Sequence, residues 1–454
     1  MTGKLDFSLS DSLDATAARL RRIPPFEIAG TVAAVQGLMV EVDGVAGLLA
    51  IGDRLHLQAR DGRAIEGEIV GFRESRTQVM AFEDLEGLGP GARAHVLTRF
   101  HGMLDIAKGW LGRVIDPLGR PMDGKGPLPG GPLARPTRAS PPDATMRARV
   151  GPRIDLGVRA LNCFATCRQG QRLGLFAGSG VGKSTLLSML TRGTACDAVV
   201  LALVGERGRE VREFIEDDLG PEGVAKAVVV VATSDAPPLM RRQCAYTAMT
   251  VAEHFRDMGQ SVLLLMDSVT RFCLALREIG LSGGEPPATR GYPPSVFAEL
   301  PRLLERAGPG PVPKTGGAGQ ITGLFTVLVE GDDTNEPVAD AVRGILDGHV
   351  ILDRRIAEGG RYPAIDVARS LSRLALGCLA PWEAELVTRA RAVLALQADM
   401  ADMVRLGAYK PGSDPAVDEA LRLAPAIEAV LRQGRHETAG MDQSFAALRQ
   451  ALGA

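Results

Sequence analysis

The stretch that decides the fold is AGSGVGKST, residues 177–185. Its glycines let the backbone curl so that several N–H groups converge on one anion. Gly178, Ser179, Gly180, Val181, Gly182, Lys183, Ser184 and Thr185 fit a phosphate-binding loop. Lys183 can reach the β- and γ-phosphates of a nucleotide, and the Ser184 hydroxyl can ligate Mg²⁺. LGLFA before the loop reads as a buried strand, and KSTLLSMLTR after it as a helix whose N-terminus favours anions. Lys183 is the only lysine between 126 and 225, so the match is not a by-product of a lysine-rich region.

Two carboxylates fall where further strands should end. SVLLLMDS (261–268) places Asp267 at the end of an apolar run, suited to holding Mg²⁺ or its water shell, although a helix cap is the plainer role for such an Asp. VGERGRE (204–210) follows the strand AVVLALV, so Glu206 should share a sheet edge with Lys183 and Asp267. A carboxylate there can orient attacking water, with Arg207 and Arg209 near the phosphates. A surface ion-pair cluster is the competing reading of this segment.

Outward from the loop, LGLFA, AVVLALV, KAVVVVA, SVLLLMD and ITGLFTVLV are largely apolar runs, as strands buried on both faces of a parallel sheet are. With EVREFIEDDL and 238–258 helical between them, they predict an α/β, RecA-like P-loop core over residues 99–379. Within it, 104–150 is rich in Gly and Pro and reads as a linker wrapped over a surface. Residues 26–98 hold six short β-rich segments and predict a small closed barrel, able to bind a ligand or to hold subunits in a ring. Residues 380–454 lose the strands and predict a helical domain. In residues 1–25, Leu13, Ala17 and Leu20 sit at helical spacing beside Arg19, Arg21 and Arg22: a docking helix or a frayed end.

Composition removes several function classes. The 52 basic and 54 acidic residues leave a net charge of −2, with no polyelectrolyte attraction to nucleic acid. Phe72 and Phe82 are the only aromatics in 30–98, too few for a base-stacking barrel. No apolar run is long enough to span a bilayer and no secretion signal opens the chain, so the cytoplasm is expected. Cys163 and Cys167 have no second pair or His cluster to complete a metal site and read as buried free thiols.

Taken together, LGRVIDPLGRPMDGKGPL, GLFAGSGVGKST, LVGERGREVREF, MDSVTRF, GEPPATRGYPPSVFAELPRLLERAG, VLVEGDDTNEPVAD, ILDGHVIL and RYPAIDVARSLSR resemble the rotary-type ATPases. Within them they are similar to the flagellar and type III protein-export ATPases. The resemblance implies a homohexameric ring hydrolysing Mg-ATP. It implies that Glu206 is the catalytic glutamate, Arg207 the adjacent active-site arginine and Asp267 the metal aspartate. It further implies that Tyr362 stacks on adenine, that Arg373 is an arginine finger entering the neighbouring subunit's site, and that Tyr409 closes the nucleotide pocket.

The partners it implies are a stator-like regulator on the N-terminal helix, a coiled-coil stalk protein in the pore, membrane proteins of an export gate, and substrate–chaperone complexes. Association with the inner membrane would be peripheral, at the export apparatus. The loop GEPPATRGYPPS (284–295) either lines the pore, with Arg290 and Tyr292 facing its contents, or is a rigid connector. An energy-coupling ATP synthase subunit is disfavoured, because 398–415 carries no acidic run. MRRQCAYTAMTVAEHFRDMGQ (240–260) and AVRGILDGHV (341–350) look more flagellar than virulence-type.

Overall fold

The computed structural model describes residues 27–97, 102–312, 317–329 and 336–453. The expected N-terminal helix over 1–25 lies outside the described residues.

Six strands form a closed barrel: β1 (Ala29–Gln36), β2 (Met39–Asp43), β3 (Arg54–Gln58), β4 (Ala64–Arg73), β5 (Arg76–Ala81) and β6 (Arg93–Val96), in the order β1-β2-β5-β4-β3-β6. Alternation drives closure. Val40, Val42, Leu55, Leu57, Ile65, Ile69 and Val79 point inward and are fully buried, leaving the polar residues between them outside. The barrel is riveted to the rest of the chain by a buried ion pair, in which Arg242 donates to both oxygens of Glu68 at 2.7 Å. Arg242 sits on the long helix that follows the fourth strand of the core.

The core sheet uses β7 (Arg113–Ile115), β8 (Arg172–Ala177), β9 (Ala198–Glu206), β10 (Ala227–Thr233), β11 (Ser261–Asp267), β12 (Gln320–Leu328), β13 (Gly348–Leu352) and β14 (Ile365–Ser372). Their order across the sheet is β14-β13-β8-β12-β11-β9-β10-β7. All neighbours are parallel except β13 and β14, which are antiparallel. The longer helices are α1 (Lys183–Gly193), α2 (Pro238–Asp257), α3 (Val269–Ser282), α4 (Pro294–Leu304), α5 (Pro337–Ile345), α6 (Pro381–Arg405), α7 (Pro415–Leu431) and α8 (Met441–Ala451).

Burial on both faces explains the continuous apolar runs. In β9, Val199, Leu201 and Leu203 face a cluster that holds Leu186, Leu187 and Leu190 of α1 and Ile427 of α7. Val200, Ala202 and Val204 face the opposite cluster, with Ala248, Met249 and Phe255 of α2 and Phe272 of α3. Every residue of β9 is buried. The last three helices close the first of these layers. Arg153 holds both oxygens of Glu383 at 2.8 Å, and Glu383 also accepts from the Ala380 amide that starts α6.

The sheet is wider than the sequence reading. The Gly/Pro-rich segment 104–150 is largely irregular, as expected of a surface wrap. It also supplies β7, which pairs with β10 and becomes the sheet edge. Strands β13 and β14 extend the other edge. In β14 buried and exposed residues are mixed, so the strand lacks the apolar run that marked its neighbours.

Candidate active site

The ends of three parallel strands build the site. β8 delivers the loop 178–182, and the chain turns back at Gly182 into α1. Gly182 takes φ 90° and ψ 23°, the left-handed region, where a side chain is strained. A Cβ at Gly182 would also lie 3.3 Å from the Tyr362 ring. The backbone therefore favours glycine, and a Cβ would also need the ring to give by a few tenths of an ångström. Among the described residues no side chain caps α1, and its first turn carries no acid. Its leading N–H groups are left for an anion.

Asp267, at the end of β11, is 4% exposed. Its Oδ1 accepts from Thr326 Oγ1 of β12 at 2.8 Å and pairs with Lys183 Nζ. Glu206, at the end of β9, is 9% exposed. Lys183 Nζ stands 3.6 Å from Glu206 Oε1, too far for a hydrogen bond, and Arg271 lies 3.5 Å from Glu206 Oε2. Oε1 is thus a buried acceptor without a hydrogen-bond partner among the described residues. Burial, and then the negative charge of Asp267, raise the Glu206 carboxyl above the ordinary glutamate range.

Two carboxylates and two cations from four elements of one chain meet at one sheet edge. Sequence reasoning missed Arg271. The signal was present: Ser268 caps α3 by accepting from the Arg271 amide at 3.3 Å. One turn beyond a strand-end Asp returns a side chain to the same edge. Thr326 lies within a largely apolar strand and gave no signal.

The other expected residues divide. Ser184 is exposed at the first turn of α1. Tyr362 is 43% exposed and lies against the loop at Gly182. Arg207 is not brought to the cluster; its side chain is 74% exposed and pairs with Glu210 at 2.8 Å. Arg373 follows β14 at the opposite end of the sheet. Gly348 pairs with Ser372, and His349 with Gly174, so Arg373 stands at the start of β8. The strand alone separates it from its own phosphate loop by roughly 17 Å. Arg373 is exposed, and among the described residues its guanidinium hydrogen-bonds only the Arg343 carbonyl, at 3.5 Å.

Tyr409 donates to Asp418 at 2.9 Å and to the Asp414 carbonyl at 3.1 Å, serving the start of α7. Tyr292 is 4% exposed beneath the Arg277 guanidinium, so of the two readings of its loop the buried ring fits the rigid connector. Cys163 and Cys167 are buried free thiols; burial pushes the Cys163 thiol up to about 12. Among the described residues no helix is long and apolar enough to cross a membrane, and no cluster of His, Cys, Asp and Glu is formed for a metal.

The donor set suits Mg-ATP. The uncapped helix start and Lys183 match a polyphosphate. The Ser184 hydroxyl and the Asp267 carboxylate are hard oxygen donors of the kind Mg²⁺ takes alongside phosphate and water.

The same architecture is found in known proteins. Residues 157–372 match the ATP synthase alpha/beta family nucleotide-binding domain, 32–95 its beta-barrel domain, and 380–450 the T3SS EscN ATPase C-terminal domain. A flagellum-specific ATP synthase of Caulobacter vibrioides is 55% identical over 96% of this chain and 98% of its own. The chain belongs to the ATP synthase alpha/beta family. Within that family it sits in the flagellum-specific and type III secretion branch, and it is an ATPase. A type 3 secretion system ATPase of Xanthomonas euvesicatoria is 46% identical over 89% of each chain. The solved structure of assembled EscN from enteropathogenic E. coli, in complex with its central stalk EscO, has a TM-score of 0.84 at 37% identity. It covers 93% of this chain and all of the EscN chain.

Proposed function

We propose that this chain hydrolyses Mg-ATP in a homohexameric ring to drive protein export during flagellum assembly. The observation that carries the export role is the 55% identity to a flagellum-specific ATP synthase over nearly the whole of both chains; other flagellum-specific relatives stand at 43–46%, beside 46% for a type 3 secretion system ATPase. The reaction is in-line transfer of the γ-phosphoryl group to water. Lys183, the amides of 178–185 and the start of α1 hold the phosphates. Ser184 and Asp267 hold Mg²⁺, which when bound draws charge from the phosphate oxygens. Glu206 takes a hydrogen bond, and then the proton, from the attacking water through its unpartnered Oε1. Arg207 exchanges Glu210 for a phosphate oxygen. Tyr362 gives its exposed ring face to adenine.

The finger is supplied from outside. Arg373 lies at the far end of the sheet from its own loop, so the guanidinium that completes the transition-state charge at one site comes from the next subunit. Ring assembly and turnover are then one event. The domains take the divisions 26–98, 99–379 and 380–454, with 1–25 as the segment for a stator-like regulator. A coiled-coil stalk in the pore is supported by the EscN–EscO complex. The ring works in the cytoplasm, peripherally at the inner-membrane export gate, where it releases and unfolds substrate–chaperone complexes.

The test is replacement of the chromosomal gene by the Lys183→Ala form. Hook and filament proteins should disappear from the culture medium and swimming should stop. Undiminished flagellar export with a turnover-dead chain would contradict the reading.

A further inference from the structure

The finger end of β8 holds more organised polarity than its surroundings require. Gln171, at the turn into β8, is fully buried. Its Oε1 accepts from the Arg168 amide at 2.9 Å, and its Nε2 donates to Ser372 Oγ at 2.8 Å. Ser372 Oγ in turn donates to the Thr166 carbonyl at 2.8 Å. One residue on, the Arg373 amide donates to the Asp347 carbonyl at 3.0 Å. The Asp347 carboxylate is itself fixed by the Arg172 amide at 3.0 Å and by its guanidinium at 3.2 and 3.3 Å. Gly348 makes the close approach possible, since a Cβ there would stand 2.3 Å from the Leu371 carbonyl and 3.0 Å from Ser372 Cα.

A buried primary amide is costly unless every polar atom is satisfied, and leucine would fill the same space without that demand. What an amide adds is direction. Among the described residues the Arg373 side chain has one long hydrogen bond, so the backbone at 372–373 decides where the guanidinium starts from. We propose that Gln171 and Ser372 form a clasp that positions Arg373 for the neighbouring subunit's phosphate site. Gln171 is a positioning residue: it acts through the finger and touches no nucleotide. The clasp and the chain's own phosphate loop are the two ends of the six-residue strand β8. The proposal rests on the reading of Arg373 as a finger used in trans.

Complementation separates the finger from the chain's own site. Lys183→Ala protein has a dead site and an intact finger; Arg373→Ala protein has the converse. Mixed in equal amounts, the two should regain ATPase activity wherever a Lys183→Ala finger enters an Arg373→Ala site. Adding Gln171→Leu to the Lys183→Ala chain should cut the regained rate about tenfold or more, the scale of a displaced catalytic group. The KM of that activity, and the ring mass by sedimentation, should not change.

Equal rescue with and without Gln171→Leu overturns the clasp and leaves the finger standing. No rescue by Lys183→Ala alone overturns both. If the Gln171→Leu chain does not fold or assemble, Ser372→Ala takes its place. It must show the same loss, and full rescue by that chain overturns the proposal.

Discussion

The two ends of strand β8 differ in how much of their chemistry one chain supplies. At the Ala177 end, Lys183 and Arg271 face Glu206 and Asp267, and the charges balance within a single subunit. At the Arg172 end, a buried polar network holds the backbone of an arginine whose side chain is left at the surface. The difference is between an end whose charges pair within the chain and an end whose organised backbone carries an exposed guanidinium; under the proposed trans finger, each chain would bind with the first end and give with the second.

Four predictions probe that contrast. Lys183→Ala and Arg373→Ala should each lower turnover about 10³-fold or more, the scale of a lost transition-state charge. They should part company in binding. Fluorescent ATP should bind weakly to the first and almost normally to the second, and equal loss of binding in both would place Arg373 in its own pocket. Glu206→Gln should cost about 10²- to 10⁴-fold in kcat, the range for a positioned base. A smaller cost would move the proton acceptor elsewhere.

Tyr362→Ala should raise the KM for ATP about tenfold, a stacking contribution of order 1–3 kcal/mol per base. Tripolyphosphate hydrolysis, which needs no adenine, should not change. The smallest effect is on pH. Glu206 must be ionised to accept a proton, and its folded pKa is raised by burial and by Asp267. Activity is therefore complete above the raised value and falls as pH drops through it. The acid limb of kcat/KM should lie above the ordinary glutamate range and vanish in Glu206→Gln. Arg373→Ala should leave that limb in place.

The sequence was most readable at the Ala177 end. Local rules write that chemistry: a glycine turn before a helix, and a carboxylate after four or more apolar residues. Glu206, Asp267 and Lys183 meet because parallel strands end together, which follows from the apolar runs alone. The Arg172 end was nearly silent. Gln171 and Ser372 are single polar residues 201 apart with no spacing to mark them, and only the antiparallel return of β14 brings them together. β7 was hidden because Gly and Pro dominate its surroundings, although three residues pairing with β10 are enough to make an edge. The outward turn of Arg207 was invisible too, since its partner Glu210 is the next turn of its own helix.

The barrel provides a third region with which to check specificity. Arg242→Ala would leave Glu68 buried without its main partner, a loss of about 3–5 kcal/mol of stability, with no direct effect on either end of β8.

The most direct test is specific ATPase activity against protein concentration, followed through the range where sedimentation shows the chain passing from monomer to ring. A site finished by a neighbour's Arg373 predicts that activity per subunit rises steeply with assembly and stays flat in Arg373→Ala. Undiminished activity per subunit in fully monomeric protein would contradict the account.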